Sequence, residues 1–232
     1  MTQHIIPGSP PIVVMVRHSK QARRISLRVS RLDGKVTLTV PRGVSDREAM
    51  GFASEKQSWL RRQLQQQPEL VTVAQGAVVP VAGRERRVVA GAGRSVVLGQ
   101  DEIAVPGKPE HTARRVQGFL KELARHRLSE AVDHYAARLG TMPTRLTLRD
   151  TRSRWGSCSS AGALMFSWRL VMARPEVLDY VAAHEVAHLK EMNHSQAFWD
   201  VVTGLYGPYE AERGWLRTDG QQLHRYRFEA AS

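Results

Sequence analysis

The sequence PEVLDYVAAHEVAHLKEMNHSQAFW, residues 175–199, decides how the chain is interpreted. Pro175 suits the first turn of a helix, because its missing N–H would have no partner there. A helix from Pro175 to about Lys190 places His184 and His188 four residues apart, one above the other on the same face. We therefore expect both imidazoles to point to one spot beside this helix.

The two histidines and the glutamate after the first of them form an HExxH motif, His184-Glu185-Val186-Ala187-His188. Imidazoles at this spacing bind Zn²⁺, and the glutamate reaches a water on the metal rather than the metal itself. Apart from Tyr180, this motif holds all the ionisable groups between Tyr180 and Leu189. Burying such groups is costly unless they are paired, and a divalent cation pairs all three. The motif therefore predicts one zinc ion per chain.

A catalytic zinc site has three protein ligands and keeps one position open. His194 follows His188 by six residues and would lie away from the zinc on a straight helix, so the chain must turn. Asn193 tolerates the left-handed conformation that such a turn uses. We predict that the metal is held by His184, His188 and His194, with Glu185 as the general base.

The identity of the third ligand has alternatives. The present spacing is that of metzincin peptidases, which carry glycine where this chain has Glu191. In the gluzincin arrangement the third ligand is a glutamate on a later helix, and the candidates here are Glu210 and Glu212. We rank both below His194.

Further motifs flank the helix: RSRWGSCS at residues 152–159, NHS at residues 193–195, and Phe198-Trp199. With HEVAHL, this string resembles the YgjP-like metallopeptidase family, a group of SprT-like zinc metalloproteases related to Wss-type proteases. The resemblance spans about residues 145–215. It implies a zincin-like core, with helices on a small mixed sheet, zinc on the three histidines, and Glu185 catalytic. It also implies kinship with proteases that digest proteins crosslinked to DNA.

The function that follows is a zinc metalloendopeptidase, a hydrolase acting on a protein or peptide substrate. Zinc polarises the scissile carbonyl and lowers the pKa of its bound water toward ~7. Glu185 takes the proton as the water attacks and passes it to the leaving amine. For the donor that stabilises the oxyanion, the candidates are an arginine or Tyr206.

The segment before the helix has two interpretations. Residues 152–159 and a strand at residues 163–168 form a wall of the cleft, with the strand edge holding an extended substrate. Alternatively Trp155 and Trp168 are core residues and Gly156 lies in a turn, and we favour the core for both tryptophans.

The expected fold class is α+β, in two parts. Residues 1–106 predict a β-rich N-terminal module with one helix, and residues 107–232 predict the zincin-like metallopeptidase domain. Pro106-Gly107-Lys108-Pro109 is the clearest linker between them. A helical pattern from about Glu110 to Leu139, ended by Gly140, opens the second part.

In the first part, two alternating runs within residues 25–40 flank Leu32-Asp33-Gly34 and predict a β-hairpin. Ser45 and Glu48 match a capping box that starts a helix, expected to end near residue 66. Further strand candidates are residues 12–16, 78–79, 87–89, 96–98 and 145–149. Further helices are expected after Ser195 and at residues 209–216.

The charge balance leaves a rival function open. Lysine and arginine outnumber acidic residues to give a net charge of +12. Such a charge favours anionic partners such as nucleic acid. The alternatives are therefore a basic nucleic-acid-binding module with a structural metal, or a protease recruited to DNA.

The single cysteine, Cys158, excludes an internal disulfide and a zinc site built on several thiolates. We expect it to be neither nucleophile nor ligand, because no separate base is identifiable. No run approaches 18 apolar residues, so no membrane partner is predicted. The N-terminus lacks the pattern of a signal peptide, and we expect a cytoplasmic protein.

Overall fold

The computed structural model describes residues 1–30, 34–65 and 69–229. Two compact units divide the chain, Met1–Glu69 and Leu70–Ser232. The strands at residues 71–106 belong to the second unit, because their apolar side chains share one core with the helix that follows. The packing therefore divides the chain between residues 69 and 70, earlier than the predicted boundary at residue 106. The two domains proposed on either side of residue 106 stay a prediction.

The first unit is a four-stranded sheet with two helices. Strand β2 is antiparallel to β1 and parallel to β4, and β3 closes the order β1-β2-β4-β3 antiparallel to β4. Apolar residues of the strands and of both helices form one core. The elements are β1 (Thr2–Ile6), β2 (Ile12–Ser19), β3 (Ser26–Val29), β4 (Val36–Pro41), α1 (Asp46–Glu55) and α2 (Gln57–Gln65).

The hairpin of β3 and β4 and the strand at residues 12–16 are confirmed. Turn residues 32 and 33 and the expected helix end at residue 66 lie outside the described residues. The cap is also confirmed, since the Ser45 hydroxyl accepts the Glu48 N–H at 3.2 Å. The prediction of one helix is wrong, because Lys56 leaves the helical conformation between α1 and α2. In the second helix Arg61 and Gln57 donate to carbonyls of the β1–β2 loop.

The second unit combines two sheets, one strand pair and four α-helices among the described residues. One sheet has the order β6-β7-β9-β8, the other the order β10-β12-β11, and β13 pairs with β5. The strands are β5 (Val71–Thr72), β6 (Val78–Val81), β7 (Arg84–Gly91), β8 (Val97–Leu98), β9 (Glu102–Pro106), β10 (Arg145–Arg149), β11 (Gly156–Cys158), β12 (Ala163–Ser167) and β13 (Tyr226–Arg227). The helices are α3 (Thr112–Leu139), α4 (Pro175–Ala187), α5 (Gln196–Tyr206) and α6 (Glu210–Thr218).

Helix α3 runs close to its predicted bounds, and Gly140 ends it with φ +75°, a conformation that glycine adopts without strain. Its buried stripe packs in the same core as α4, and α4 in turn contacts α5, α6 and β11. Strand β11, which the sequence analysis did not predict, is the edge of its sheet. The fold therefore places a sheet edge beside the helix that carries HExxH.

Candidate metal centre and active site

Helix α4 carries the HExxH motif at its C-terminal end. It begins at Pro175, as expected, and ends at Ala187, before the predicted end near Lys190. His188 is already the C-cap residue, with φ −66° and ψ −15°. The ring centroids of His184 and His188 are 5.1 Å apart, so the four-residue spacing brings the two imidazoles together.

The chain after α4 turns back toward the helix. The Glu191 N–H bonds to the Ala187 carbonyl at 3.0 Å. The Asn193 side chain then accepts the Ser195 N–H at 3.1 Å. Asn193 has no positive φ, so the left-handed conformation predicted for it is wrong. A side-chain turn of the Asx type takes its place and presents His194 to the helix.

Three imidazoles meet at this turn. One ring nitrogen from each of His184, His188 and His194 lies within 4.8 Å of the other two. The two Nε2 atoms of His184 and His194 are 3.1 Å apart. Within residues 1–30, 34–65 and 69–229, no other group of histidine, cysteine or acidic side chains converges in this way.

The hydrogen bonds of these rings fit a bound cation. The Nδ1 of His188 lies 2.9 Å from the Glu191 carbonyl oxygen. Because a carbonyl only accepts, Nδ1 carries the proton and Nε2 keeps a lone pair for a metal. The Nδ1 of His184 is buried and has no partner among the described residues. The three ring nitrogens lie near one another, and no acidic side chain of the described residues joins them.

Burial, together with nearby positive groups, favours the neutral form of these imidazoles. Burial lowers the pKa of His184 to about 3, with smaller contributions from His188, His194 and Arg213. Burial is also the largest cause that lowers the pKa of His194. Neutral imidazole is the form that binds a metal ion.

An aromatic ring supports all three imidazoles. Phe198 of α5 is fully buried, and its ring centroid lies 4.9, 4.4 and 4.7 Å from those of His184, His188 and His194. Ser195 precedes α5, as predicted, although its side chain makes no capping bond. The apolar face of α5 therefore sets the spacing of the rings.

Glu185 is 5% exposed and stands beside the edge strand. Burial raises the pKa of its carboxyl group to about 8, and the positive charge of Arg154 opposes this. A Cβ on Gly156 would lie 2.5 Å from Cγ and Oε1 of Glu185. Only glycine therefore lets β11 pass so close to this carboxyl group.

A cleft of about 470 Å³ opens in front of the imidazoles. One wall is β11 with the loop before it, and no described strand pairs with the outer edge of β11. Free backbone groups on such an edge suit an extended peptide. The lining residues are Ser153, Arg154, Gly156, Ser157, Cys158, His184, Glu185, His188, Met192 and His194.

Several sequence candidates lie outside this group. Glu210 and Glu212 do not join the three histidines, and the Glu210 carboxylate accepts the Tyr209 N–H at 3.0 Å. The Tyr206 hydroxyl donates to the Glu176 carbonyl at the opposite end of α4, so it does not serve as an oxyanion donor. Burial, and then the Glu185 charge, raise the pKa of the Cys158 thiol, which disfavours the thiolate.

The upstream motif contains the residues that sequence reasoning missed. Gly156 lies in β11 rather than in a turn, and a glycine inside a strand is a signal of close backbone approach. Trp168 is buried, as predicted. Trp155 is partly buried and packs on the ring of His224, with centroids 5.2 Å apart.

A helix-borne set of imidazoles and a buried carboxyl group, beside a cleft with an open sheet edge, define a candidate metal-dependent hydrolase. Residues 23–219 match the YgjP-like metallopeptidase domain. The match covers most of the chain, which therefore belongs to the YgjP-like metallopeptidase family, as its motifs indicated.

One solved structure that the chain is similar to is the crystal structure of the metallopeptidase zymogen of Pyrococcus abyssi abylysin. The two are 21% identical, and the match covers 39% of this chain and 94% of that chain with a TM-score of 0.35. No curated protein matches the chain.

Proposed function

We propose that this metallopeptidase is a zinc-dependent endopeptidase whose metal ligands are His184, His188 and His194. The observation that carries the proposal is the convergence of their ring nitrogens within 4.8 Å, next to a buried glutamate. Three imidazoles without a carboxylate ligand suit Zn²⁺. One ion per chain is proposed, and it would polarise the scissile carbonyl and supply an acidified water.

Glu185 is proposed as the general base. Its buried position beside Gly156 fixes where the carboxyl group lies and excludes bulk water from one side. A nearby dication favours the ionised carboxylate, which then accepts a proton from the attacking water. The same group returns that proton to the leaving amine.

The proposed substrate is an extended protein segment. It would pair with the open edge of β11, and its scissile bond would then lie in the cleft next to Glu185. A substrate that extends beyond β11 in both directions would be cut within its chain. We therefore propose an endopeptidase rather than an exopeptidase. The fold proposed for this core is zincin-like, with the HExxH helix packed beside a small mixed sheet.

The test combines metal analysis with cleavage of an unstructured protein such as casein. Glu185→Gln is expected to keep its zinc and lose hydrolysis by orders of magnitude. Glu176→Gln changes an exposed glutamate of the same helix and should retain activity. Equal activity in Glu185→Gln and wild type would remove Glu185 from the mechanism.

A second candidate function, polyanion binding, is favoured by the charge distribution of the first unit. Residues 1–45 contain eight lysines and arginines and a single acidic residue, Asp33, whereas residues 46–69 are balanced. In the sheet, Arg17 is opposite Thr39, and Arg28 is opposite Thr37. The described acidic residues of this unit lie in α1 and at Glu69. We propose that a nucleic-acid strand is bound here, as for a protease recruited to DNA.

Salt-dependent binding of a single-stranded oligonucleotide to the full chain tests this. Each lost phosphate contact should reduce the slope of log affinity against log salt by about 0.7. The variant Arg17→Gln, Arg23→Gln, Arg24→Gln, Arg28→Gln is expected to lose most of the slope. The control Arg47→Gln, Lys56→Gln, Arg62→Gln removes three charges from the segment of α1 and α2 and should keep the slope. Equal slopes would exclude the sheet as the binding surface.

In the described parts of the chain, no helix has both the length and the apolar character needed to cross a membrane. The cytoplasmic location stays a prediction.

A further inference from the structure

A stack of aromatic rings leads from the metal centre to α6. The ring centroid of Trp199 lies 5.7 Å from those of both His184 and His194. Tyr209 stacks on Trp199 at 5.0 Å, with 21° between the planes. The same tyrosine stacks on Tyr180 at 5.8 Å and 12°. Trp199 therefore stands between the imidazoles and the start of α6.

Arg213 places a guanidinium group on this stack. Its Cζ lies 4.4 Å from the centroid of the Trp199 ring. The backbone N–H of Arg213 donates to the Tyr209 carbonyl at 3.0 Å, so one helical turn sets both side chains against the same indole. Among the described residues, no carboxylate or other acceptor pairs with this guanidinium. Its orientation is set by a ring, and its N–H donors stay available.

Two arginines near the site, Arg154 and Arg213, contact different parts of it. Arg154 lines the cleft, and its charge acts on Glu185. Arg213 lies instead on the ring of Trp199, whose centroid is 5.7 Å from those of His184 and His194. In the hydrolysis of an amide, negative charge develops on the carbonyl oxygen, whereas the base takes a proton from the attacking water. A donor for that oxygen is therefore expected on the side of the metal ligands away from the base.

We propose that Arg213 donates to the oxyanion of the transition state, and that Trp199 holds its guanidinium in place. This inference rests on the proposed peptidase function. As water adds to the carbonyl carbon, the π pair moves to the oxygen, which accepts hydrogen bonds from Arg213. Glu185 carries the water proton to the amine nitrogen, the C–N bond breaks, and the C=O bond forms again.

The first test is kinetic. Arg213→Gln should lower kcat by about 10²–10³-fold, the usual cost of one oxyanion donor, with KM and zinc content close to wild type. Arg213→Lys should recover part of the loss, because it restores charge without the planar fork. Arg217→Gln, one turn further along α6, is the matched control and should keep wild-type kcat.

The second test is binding. A phosphonate peptide, whose charged oxygens imitate the oxyanion, should bind Arg213→Gln more weakly by the same factor that kcat/KM loses, as measured by calorimetry. Tyr209→Phe keeps the ring and removes the hydroxyl, and should resemble wild type in both measurements.

Two results would overturn the inference alone: wild-type kcat in Arg213→Gln, or a larger loss of kcat in Tyr209→Phe or Arg154→Gln. Either result counts only if the wild-type protein cleaves the substrate and Glu185→Gln does not. An inactive zinc-loaded wild type would overturn the proposed function together with this inference.

Discussion

Two groups of histidines with a carboxyl group occur in this chain, and they differ in how the nitrogens are paired. In the first unit, Asp46 lies 3.1 Å from Nε2 of His4 and 2.6 Å from Nε2 of His18. In the second unit, the ring nitrogens of the three histidines face one another. No imidazole bonds to the buried Glu185 among the described residues.

Both groups contain histidines and an acidic residue, so their residue types do not tell them apart. The partners of the ring nitrogens do. The hydrogen bonds of His18, Thr2 and His4 lower the pKa of Asp46, so the carboxylate of this first group already has its partners. The second group brings three ring nitrogens to a common point, where a cation would satisfy their lone pairs. We therefore expect zinc in the second group and none in the first.

The largest expected effect is that of His188→Ala, which removes a proposed ligand that is buried at the end of α4. Zinc affinity should fall by more than the about 10–100-fold that is typical for an outer partner of a ligand. Hydrolysis should fall below detection. His18→Ala in the first group should keep both, and elemental analysis after dialysis measures the difference. A similar loss of zinc from His18→Ala would show that the first group also holds a metal.

His194→Ala should have the next largest effect, because this ligand is exposed and belongs to a turn rather than to a helix. Bound zinc should fall below one equivalent under the same dialysis, and activity should fall with it. Full occupancy would instead indicate that Glu210 or Glu212 supplies the third ligand.

Gly156→Ala tests the position of the carboxyl group without touching a ligand. The added Cβ would overlap Glu185, so the side chain must move, and a shift of about 1 Å can cost on the order of 10²-fold in rate. Zinc content should stay at one equivalent while kcat falls. Gly118→Ala, where a Cβ meets nothing within 4 Å, is the control and should keep full activity. An unchanged kcat in Gly156→Ala would show that the base tolerates displacement.

Asp46→Asn should have the smallest effect. The pKa of Asp46 is lowered in the folded chain, so its contribution to stability is present above the ordinary pKa of about 4 and is lost as the pH falls through the folded value. The variant should melt no more than a few degrees below wild type at pH 7, and at the same temperature as wild type near pH 2. Calorimetry at both pH values measures this, and a gap that persists in acid would contradict the sign.

Periodicity predicted the regular elements that bury one face. The hairpin of β3 and β4 and helix α3 follow from side-chain alternation and from the cap at Gly140. The three-residue strand β11 has too little sequence to show a period, since its conformation is imposed by pairing with β12. The break at Lys56 has no proline or glycine to mark it.

The candidate site was predictable as far as the motif extends. The convergence of His184 and His188 follows from helix geometry. His194 was added because a catalytic zinc site needs a third ligand. Its approach depends on the Asn193 side chain, which the sequence indicated only as a turn residue. The roles of Gly156 and Arg213 depend on contacts between elements distant in sequence, which a local pattern does not contain.

The ring of Phe198 under the three imidazoles has a consequence for metal exchange. Because this buried ring packs against all three proposed ligands, a bound ion would not have to bring them together. Removing the ion should leave the pocket in shape, so that another divalent ion can enter without refolding of the site. Selection among such ions then depends on ligand type and coordination geometry as well as on how much of each ion is supplied.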